Sequence, residues 1–150
     1  MEHIIQANSA DIWRISEIIV TNYRMNFYQF FRDDEYYFGE LNVRDTAAEF
    51  AECLGETFVY DDGIIKGVLK MNGSEIEKLF IEPTFQNCGI GRKLLNFAVS
   101  EQSGKFLWVL EYNVRAAEFY KRNGFRFTGE KMVEDEVVPL LKMAINCGIS

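Results

Sequence analysis

Gly89 and Gly91, at the mouth of an amphipathic run, are the positions in this chain best suited to binding chemistry. They follow a strand-like stretch that stops at Pro83 and lead into Ile90, Leu94, Phe97 and Ala98 at helical spacing. The first turn of a helix leaves backbone N–H groups unpaired, and the helix dipole adds positive potential there. That combination suits a pyrophosphate. Without Cβ atoms at 89 and 91, phosphate oxygens can approach the backbone closely. Arg92 and Lys93 add cations to a turn whose dipole they oppose, a conflict that a bound anion relieves. The bland alternative is a glycine-containing helix start with exposed basic residues. The spacing is not GxxxxGK[ST]. Nor is it GxGxxG with a ribose-binding acid some ~20 residues on, so kinases and dehydrogenases gain no support.

Other candidates are sparser. Asn113 is placed to cap a second helix, on which Ala116, Phe119 and Tyr120 share a face at i, i+3, i+4. Tyr120 is either a core aromatic or a proton donor, and is expected in the first half of that helix. Glu75 and Glu77 alternate along one strand, which puts them on one face with Leu79 and Ile81. A carboxylate on an apolar face has a raised pKa and can act as a base. The alternative is exposure near the strand's start. Cys88 has no histidine partner, because His3 is the single histidine. This disfavours a Ser-His-Asp triad, a Cys-His pair and a histidine-rich zinc site. No metal is expected.

The elements that position these residues are read from patterning. A first strand at 3–7 precedes a helix capped by Asn8 or Ser9, with Asp11 in its first turn and Ile12, Ile15, Ile19 and Tyr23 on one face. The aromatic segment 27–38 is too apolar to leave in water but has no clear period. A short helix is expected at 45–53. Strands follow at 56–60, 64–71 and 75–82, the last two joined by Asn72-Gly73, a strong hairpin dipeptide. After the helix from Ile90, the run KFLWVL at 105–110 reads as a strand covered on both faces. The Asn113 helix stops at Asn123-Gly124, and strands at 125–128 and 137–145 end the sheet, with Pro139 suggesting an edge or a bulge. The class is α+β (α/β): a mixed, largely antiparallel sheet flanked by helices. The strands at 75–82 and 105–110 are parallel if they are neighbours.

The segment Gln86-x-x-Gly89-x-Gly91, after a strand ending Leu-x-Ile-x-Pro, resembles the CoA-binding motif of the GNAT superfamily of N-acetyltransferases. The block from Asn113 through Tyr120 to Gly124-Phe125 is similar to a second motif of that superfamily, and the two lie in order on either side of an apolar strand. The motifs cover about residues 75–128. The resemblance implies a single acetyltransferase domain over 1–150, with splayed parallel strands admitting the pantetheine arm of acetyl-CoA beside the backbone of Leu79, Phe80 and Ile81. It further implies that Gln86, Asn87, Cys88, Gly89, Ile90, Gly91 and Arg92 form the cofactor loop. Asn113 and Ala116 would contact the cofactor, and Tyr120 would protonate the leaving thiol. Glu75 or Glu77 would serve as base, directly or through water. The activity implied is direct transfer of an acetyl group to a primary amine in a ternary complex. Protein or peptide N-terminal acetylation and a non-catalytic CoA-binding module are the rival readings.

Composition sets outer bounds. The 150 residues fit one domain, and 48% hydrophobic with 15% aromatic content indicates a folded chain. A net charge of −7 argues against nucleic-acid binding and for a cationic amine, small or peptidic, over an acidic one. Cys53, Cys88 and Cys147 are too far apart in sequence for a metal clip and read as free thiols of a reducing compartment. No signal segment or membrane span is evident, so a cytoplasmic protein is expected. The aromatic surplus is compatible with a homodimer.

Overall fold

The computed structural model describes residues 2–145, and Cys147 lies outside the described residues. Seven strands form one sheet in the order β1-β2-β3-β4-β5-β7-β6. The chain runs β1 (Ile4–Gln6), α1 (Ile12–Phe31), α2 (Val43–Phe50), β2 (Thr57–Asp61), β3 (Ile65–Asn72), β4 (Glu75–Ile81), α3 (Ile90–Glu101), β5 (Phe106–Leu110), α4 (Val114–Arg122), β6 (Phe125–Glu134) and β7 (Val138–Ile145). All neighbours pair antiparallel except β4 and β5, which are parallel. The expected mixed, largely antiparallel sheet flanked by helices is the architecture found.

Strand alternation sends side chains to two cores. Val59 and Val68 join Ile15, Ile18, Ile19 and Phe50 of α1 and α2 on one face. Phe58, Tyr60, Leu69 and Met71 join Leu94, Leu95 and Ala98 of α3 and Ala117 of α4 on the other. Each face buries enough aliphatic surface to hold its helices, at about 1.5–3 kcal/mol per fully buried side chain. Among the described residues, no helix is long and apolar enough to cross a membrane.

Local chemistry explains most boundaries. Asn8 accepts from the N–H of Ala10 at 2.9 Å, and Asp11 accepts from the N–H of Asn8 at 3.0 Å, a reciprocal cap ahead of α1. The expected helix at 45–53 begins earlier and ends earlier, because Asn42 takes the N–H of Asp45 at 2.9 Å and caps α2. The aromatic segment divides. Its first part extends α1 to Phe31, Arg32 turns left-handed at φ 51°, and a wide helical turn at Tyr36–Glu40 brings the chain back. Arg24 ties this return to α1, donating to the carbonyls of Tyr37 at 2.8 Å and Leu41 at 3.3 Å.

Three expectations need correction. Pro139 is on β7, an interior strand, and the register irregularity lies in β6 between Phe127 and Lys131. Proline is tolerated because its own C=O accepts from Glu111, one residue past the end of β5, so the missing N–H would have pointed beyond that strand. β6 continues to Glu134, well past the expected 128. β5 is apolar throughout but only partly covered on its second face: Leu107 and Val109 are buried on one side and Leu110 on the other, where Phe106 and Trp108 are partly exposed.

Candidate active site

β4 and β5 share a single paired position, Glu75 with Phe106, and then diverge. The phase of β4 follows from Glu82, whose N–H donates to Lys66 C=O on β3 at 2.9 Å. Backbone groups alternate sides along a strand, so Lys78 and Phe80 also bond toward β3, while Leu79 and Ile81 direct N–H and C=O into the gap. Phe80 packs its ring on the α1 side, 5.4 Å from Tyr23. The Ile81 carbonyl is held by Asn22 Nδ2 at 3.0 Å and Gln86 Nε2 at 3.3 Å. The gap opens into a cavity of about 930 Å³ lined by residues of α1, α3, α4 and the strands β4 to β7.

At one end lies the loop leading to α3. Gly89 has φ 84°, a left-handed conformation that glycine adopts without strain. The first helical backbone bond into this turn is Lys93 N–H to Gly89 C=O at 3.2 Å. Among the described residues, no protein acceptor takes the N–H groups of Asn87, Cys88, Gly89, Ile90, Gly91 or Arg92. A Cβ added at Gly91 would point at Phe119 Cζ, 3.4 Å away, and Ile81 Cγ1, 3.7 Å away, so the glycine leaves space between α3 and α4. Lys93 turns elsewhere, toward the Tyr60 ring at 5.7 Å. Arg92 of α3 and Arg115 and Arg122 of α4 line the cavity, and none is ion-paired among the described residues.

At the other end, α4 presents Tyr120. It occupies the second half of its helix rather than the first, near the last turn. Its ring sits edge-on to Phe119 at 5.3 Å and Phe125 at 5.9 Å. Burial pushes its phenol up to about 12, so the proton stays on oxygen throughout the neutral range. No described protein group hydrogen-bonds that hydroxyl, and no buried polar side-chain atom is left without a partner, so the hydroxyl opens to the cavity. Asn113 caps α4, its Oδ1 accepting from Ala116 N–H at 3.1 Å. Asn113 and Ala116 both line the cavity.

Glu75 and Glu77 do not share a face with Leu79 and Ile81. Lys70 pairs with Lys78 and Met71 with Ile76, so β4 carries one extra residue at Glu77. This bulge resets the alternation. Ile76, Leu79 and Ile81 all pack in the α3 core. Glu77 instead takes the Lys70 ammonium on both oxygens at 3.0 Å. Glu75 has no ion-pair partner among the described residues, and burial, with the charge of Glu77, holds its carboxyl above the usual range against the pull of Lys70 and Lys78.

Comparison with known proteins decides the family. The sequence profile described as "Acetyltransferase (GNAT) domain" matches residues 53–127, half of the 150 residues. The chain belongs to the GNAT acetyltransferase family. It is 38% identical over 80 residues to the peptidyl-lysine N-acetyltransferase YjaB of Escherichia coli, an overlap of 52% of this chain and 54% of that protein. An uncharacterized N-acetyltransferase, MJ1207 of Methanocaldococcus jannaschii, is 33% identical over 98 residues, 62% of this chain and 39% of that one. The alignments therefore span about half the length of these curated relatives, or less. In three dimensions the apo solution structure of E. coli YjaB superposes with TM-score 0.75 and 26% identity over 97% of both chains. The CoA complex of the PaiA N-acetyltransferase from Thermoplasma acidophilum superposes with TM-score 0.72 and 16% identity over 93% of this chain and 96% of that one.

Within this GNAT fold, the cavity collects residues that sequence reasoning left out. Asn22, Tyr23 and Phe27 come from α1, Trp108 from β5, Glu134 from β6, and Arg115 and Arg122 from α4. The two arginines carried a signal, since they flank Tyr120 in the second motif, and so did Phe27, which opens the aromatic segment 27–38. Asn113 offers a clean test of cap against contact. Asn113→Asp keeps the capping oxygen and removes the amide donor, so calorimetry is expected to show weaker CoA binding at nearly unchanged stability. Asn113→Ala should lose both, with stability falling by about 0.5–2 kcal/mol.

Proposed function

We propose that the protein transfers the acetyl group of acetyl-CoA to a primary amine by direct attack in a ternary complex. The observation that carries this reading is one cavity that joins the unpaired N–H groups at the start of α3, the gap between β4 and β5, and the Tyr120 hydroxyl. Coenzyme A fits those features. Its pyrophosphate matches the N–H groups of residues 87–92 and the cations of Arg92, Arg115 and Arg122. Its pantetheine arm matches the backbone of Leu79 and the N–H of Ile81, the Ile81 carbonyl being already held by Asn22 and Gln86. The solved complexes of PaiA with CoA, and of YncA from Salmonella typhimurium with acetyl-CoA, are relatives in fold that support this reading.

When bound, acetyl-CoA supplies an activated acyl thioester. The protein's residues do the rest. A free alkylammonium of pKa about 10.4 must lose a proton before attack. Glu75 is the favoured acceptor of that proton, because its raised pKa makes it more basic than an ordinary carboxylate, whereas Glu77 is committed to Lys70. An N–H of Leu79 or Ile81, aimed into the gap, stabilises oxyanion charge. Tyr120 holds the proton needed by the departing sulfur.

A second reading, acetylation of lysine in peptides, is favoured by the similarity to YjaB over 80 residues. The deciding assay is acetyl-CoA consumption over a panel of small amines and lysine-containing peptides. Turnover with some of them is expected, and binding of CoA with no turnover on any would leave a CoA-binding module. In the same assay Glu75→Gln should lower kcat/KM by about 10²-fold or more. Glu77→Gln should change turnover little but cost about 1–3 kcal/mol in denaturant unfolding, because among the described residues Lys70 then keeps Glu56 alone, at 3.8 Å.

A further inference from the structure

The strands of the sheet carry five lysines, and four have a carboxylate. Lys66 pairs with Asp62 at 2.9 Å, Lys70 with Glu77 at 3.0 Å, Lys131 with Glu111 at 2.9 Å and Lys142 with Glu130 at 3.2 Å. Lys78 differs. Among the described residues no carboxylate lies within ion-pair distance of it. Its Nζ donates to Tyr23 Oη at 2.9 Å and lies 5.2 Å from the centre of the same ring. A phenol oxygen and a ring face orient an ammonium without neutralising it.

An ammonium shielded from water stays charged only where its surroundings favour the cation. Burial pushes the Lys78 ammonium down, but Tyr23, Glu77 and Glu49 push it up, with a net rise, so the group is charged. The bulge at Glu77 aims it: Lys78 faces α1, in the wall of the large cavity, while its neighbours Ile76 and Leu79 enter the core. The same cavity holds Glu75 and Glu134, neither ion-paired among the described residues. With Glu77 committed to Lys70 and the three arginines placed on α3 and α4, the unpaired charges of the wall beside the gap are therefore bipolar, one cation and two acids.

We propose that Lys78, seated on Tyr23, anchors a carboxylate carried by the acceptor, so that the amine presented for acetylation belongs to an amino-acid-like zwitterion. This rests on the acetyltransferase reading for the cavity and names the acceptor's class. An ammonium next to Glu75 and Glu134 and a carboxylate on Lys78 match the wall in sign. A dianionic phosphate would meet two acids and one cation, and is disfavoured. A free amino acid and the C-terminal residue of a short peptide offer the same carboxylate.

The test uses product-like ligands and so needs no turnover. Binding of N-acetylglycine, N-acetylleucine and Nα-acetyllysine, each against its carboxamide, is measured by calorimetry with CoA present. The wild-type protein should prefer each acid that it binds by at least about tenfold, as expected for a hydrogen bond to a charged group. Lys78→Met, which keeps the stem and removes the charge, should bind acid and amide alike. Lys78→Arg should retain part of the preference and serves as the folded control if the methionine variant does not fold. N-acetylated dipeptides, run in parallel, separate a free amino acid from a peptide terminus. Equal affinity for acid and amide in the wild type, binding of neither, or a preference that survives Lys78→Met overturns the proposal. A carboxylate preference without acetyl transfer to any amine would leave the anchor standing and remove the transferase reading instead.

Discussion

Tyr120→Phe is expected to lower kcat by at least about tenfold while CoA affinity and stability change little. General acids typically contribute about 10²–10⁴-fold, and a departing thiol of pKa about 8.5 leaves fairly well unaided, so the effect should fall toward the lower part of that range. The substitution isolates the proton. The ring keeps its edge contacts with Phe119 and Phe125, and the hydroxyl that is lost has no protein partner to leave stranded. The phenol is held up to about 12 by burial, so the wild-type donor should not itself impose a fall in rate below strongly alkaline pH. The check is kcat at saturating acceptor, with chemistry shown to limit turnover. An unchanged kcat would make Tyr120 a packing residue.

Gly91→Glu should abolish the rise in thermal midpoint that CoA confers. At a ligand concentration about a hundred times Kd, one-site binding adds about 2.7 kcal/mol, or roughly 5–11 °C for a chain of this size. The new side chain starts 3.4 Å from Phe119 and puts a negative charge in the first turn of α3, on the path proposed for phosphate. The free protein should not suffer. Replacing glycine inside a helix gains about 0.5–1 kcal/mol, and a carboxylate near the N-terminus is favoured by the dipole. Loss of the ligand shift with an unchanged or higher midpoint for the free protein therefore reports on binding alone. A shift equal to that of the wild type would remove the phosphate loop.

How much of this was legible in the sequence depended on whether the signal was local. The hairpin, the cap at Asn8 and the glycine loop at 86–92 are written in neighbouring residues; the last two stand where patterning put them, and the turn falls one residue on, at Gly73-Ser74, with Asn72 paired to Glu75. The faces of β4 were not legible. Period-two alternation assumes an unbroken ladder, and the extra residue at Glu77 leaves no mark in composition. Lys78 and Tyr23 meet across 55 residues of chain, and Asn22 reaches Ile81 across 59, so no spacing rule could join them. Pro139 misled for a related reason. A proline is excluded from an inner strand only where its N–H would have faced a partner, and where β5 ends is a tertiary fact. The aromatic segment lacked a single period because it holds the end of one helix, a left-handed residue and a wide turn.

The single paired position between β4 and β5 also has a mechanical consequence. Ladders of hydrogen bonds, interrupted only by local bulges, join β1 through β4 and again β5 through β7, but almost none crosses between the two blocks. A paired ladder resists sliding and twisting, because any shift breaks directional bonds. Side-chain packing does not: Ile76, Leu94, Leu107 and Val109 beneath the seam can accommodate small rotations with little change in buried area. The molecule is thus built as two stiff plates joined by a soft seam. A ligand that supplied backbone-like donors and acceptors along the seam would act as a missing strand, turning two plates into one.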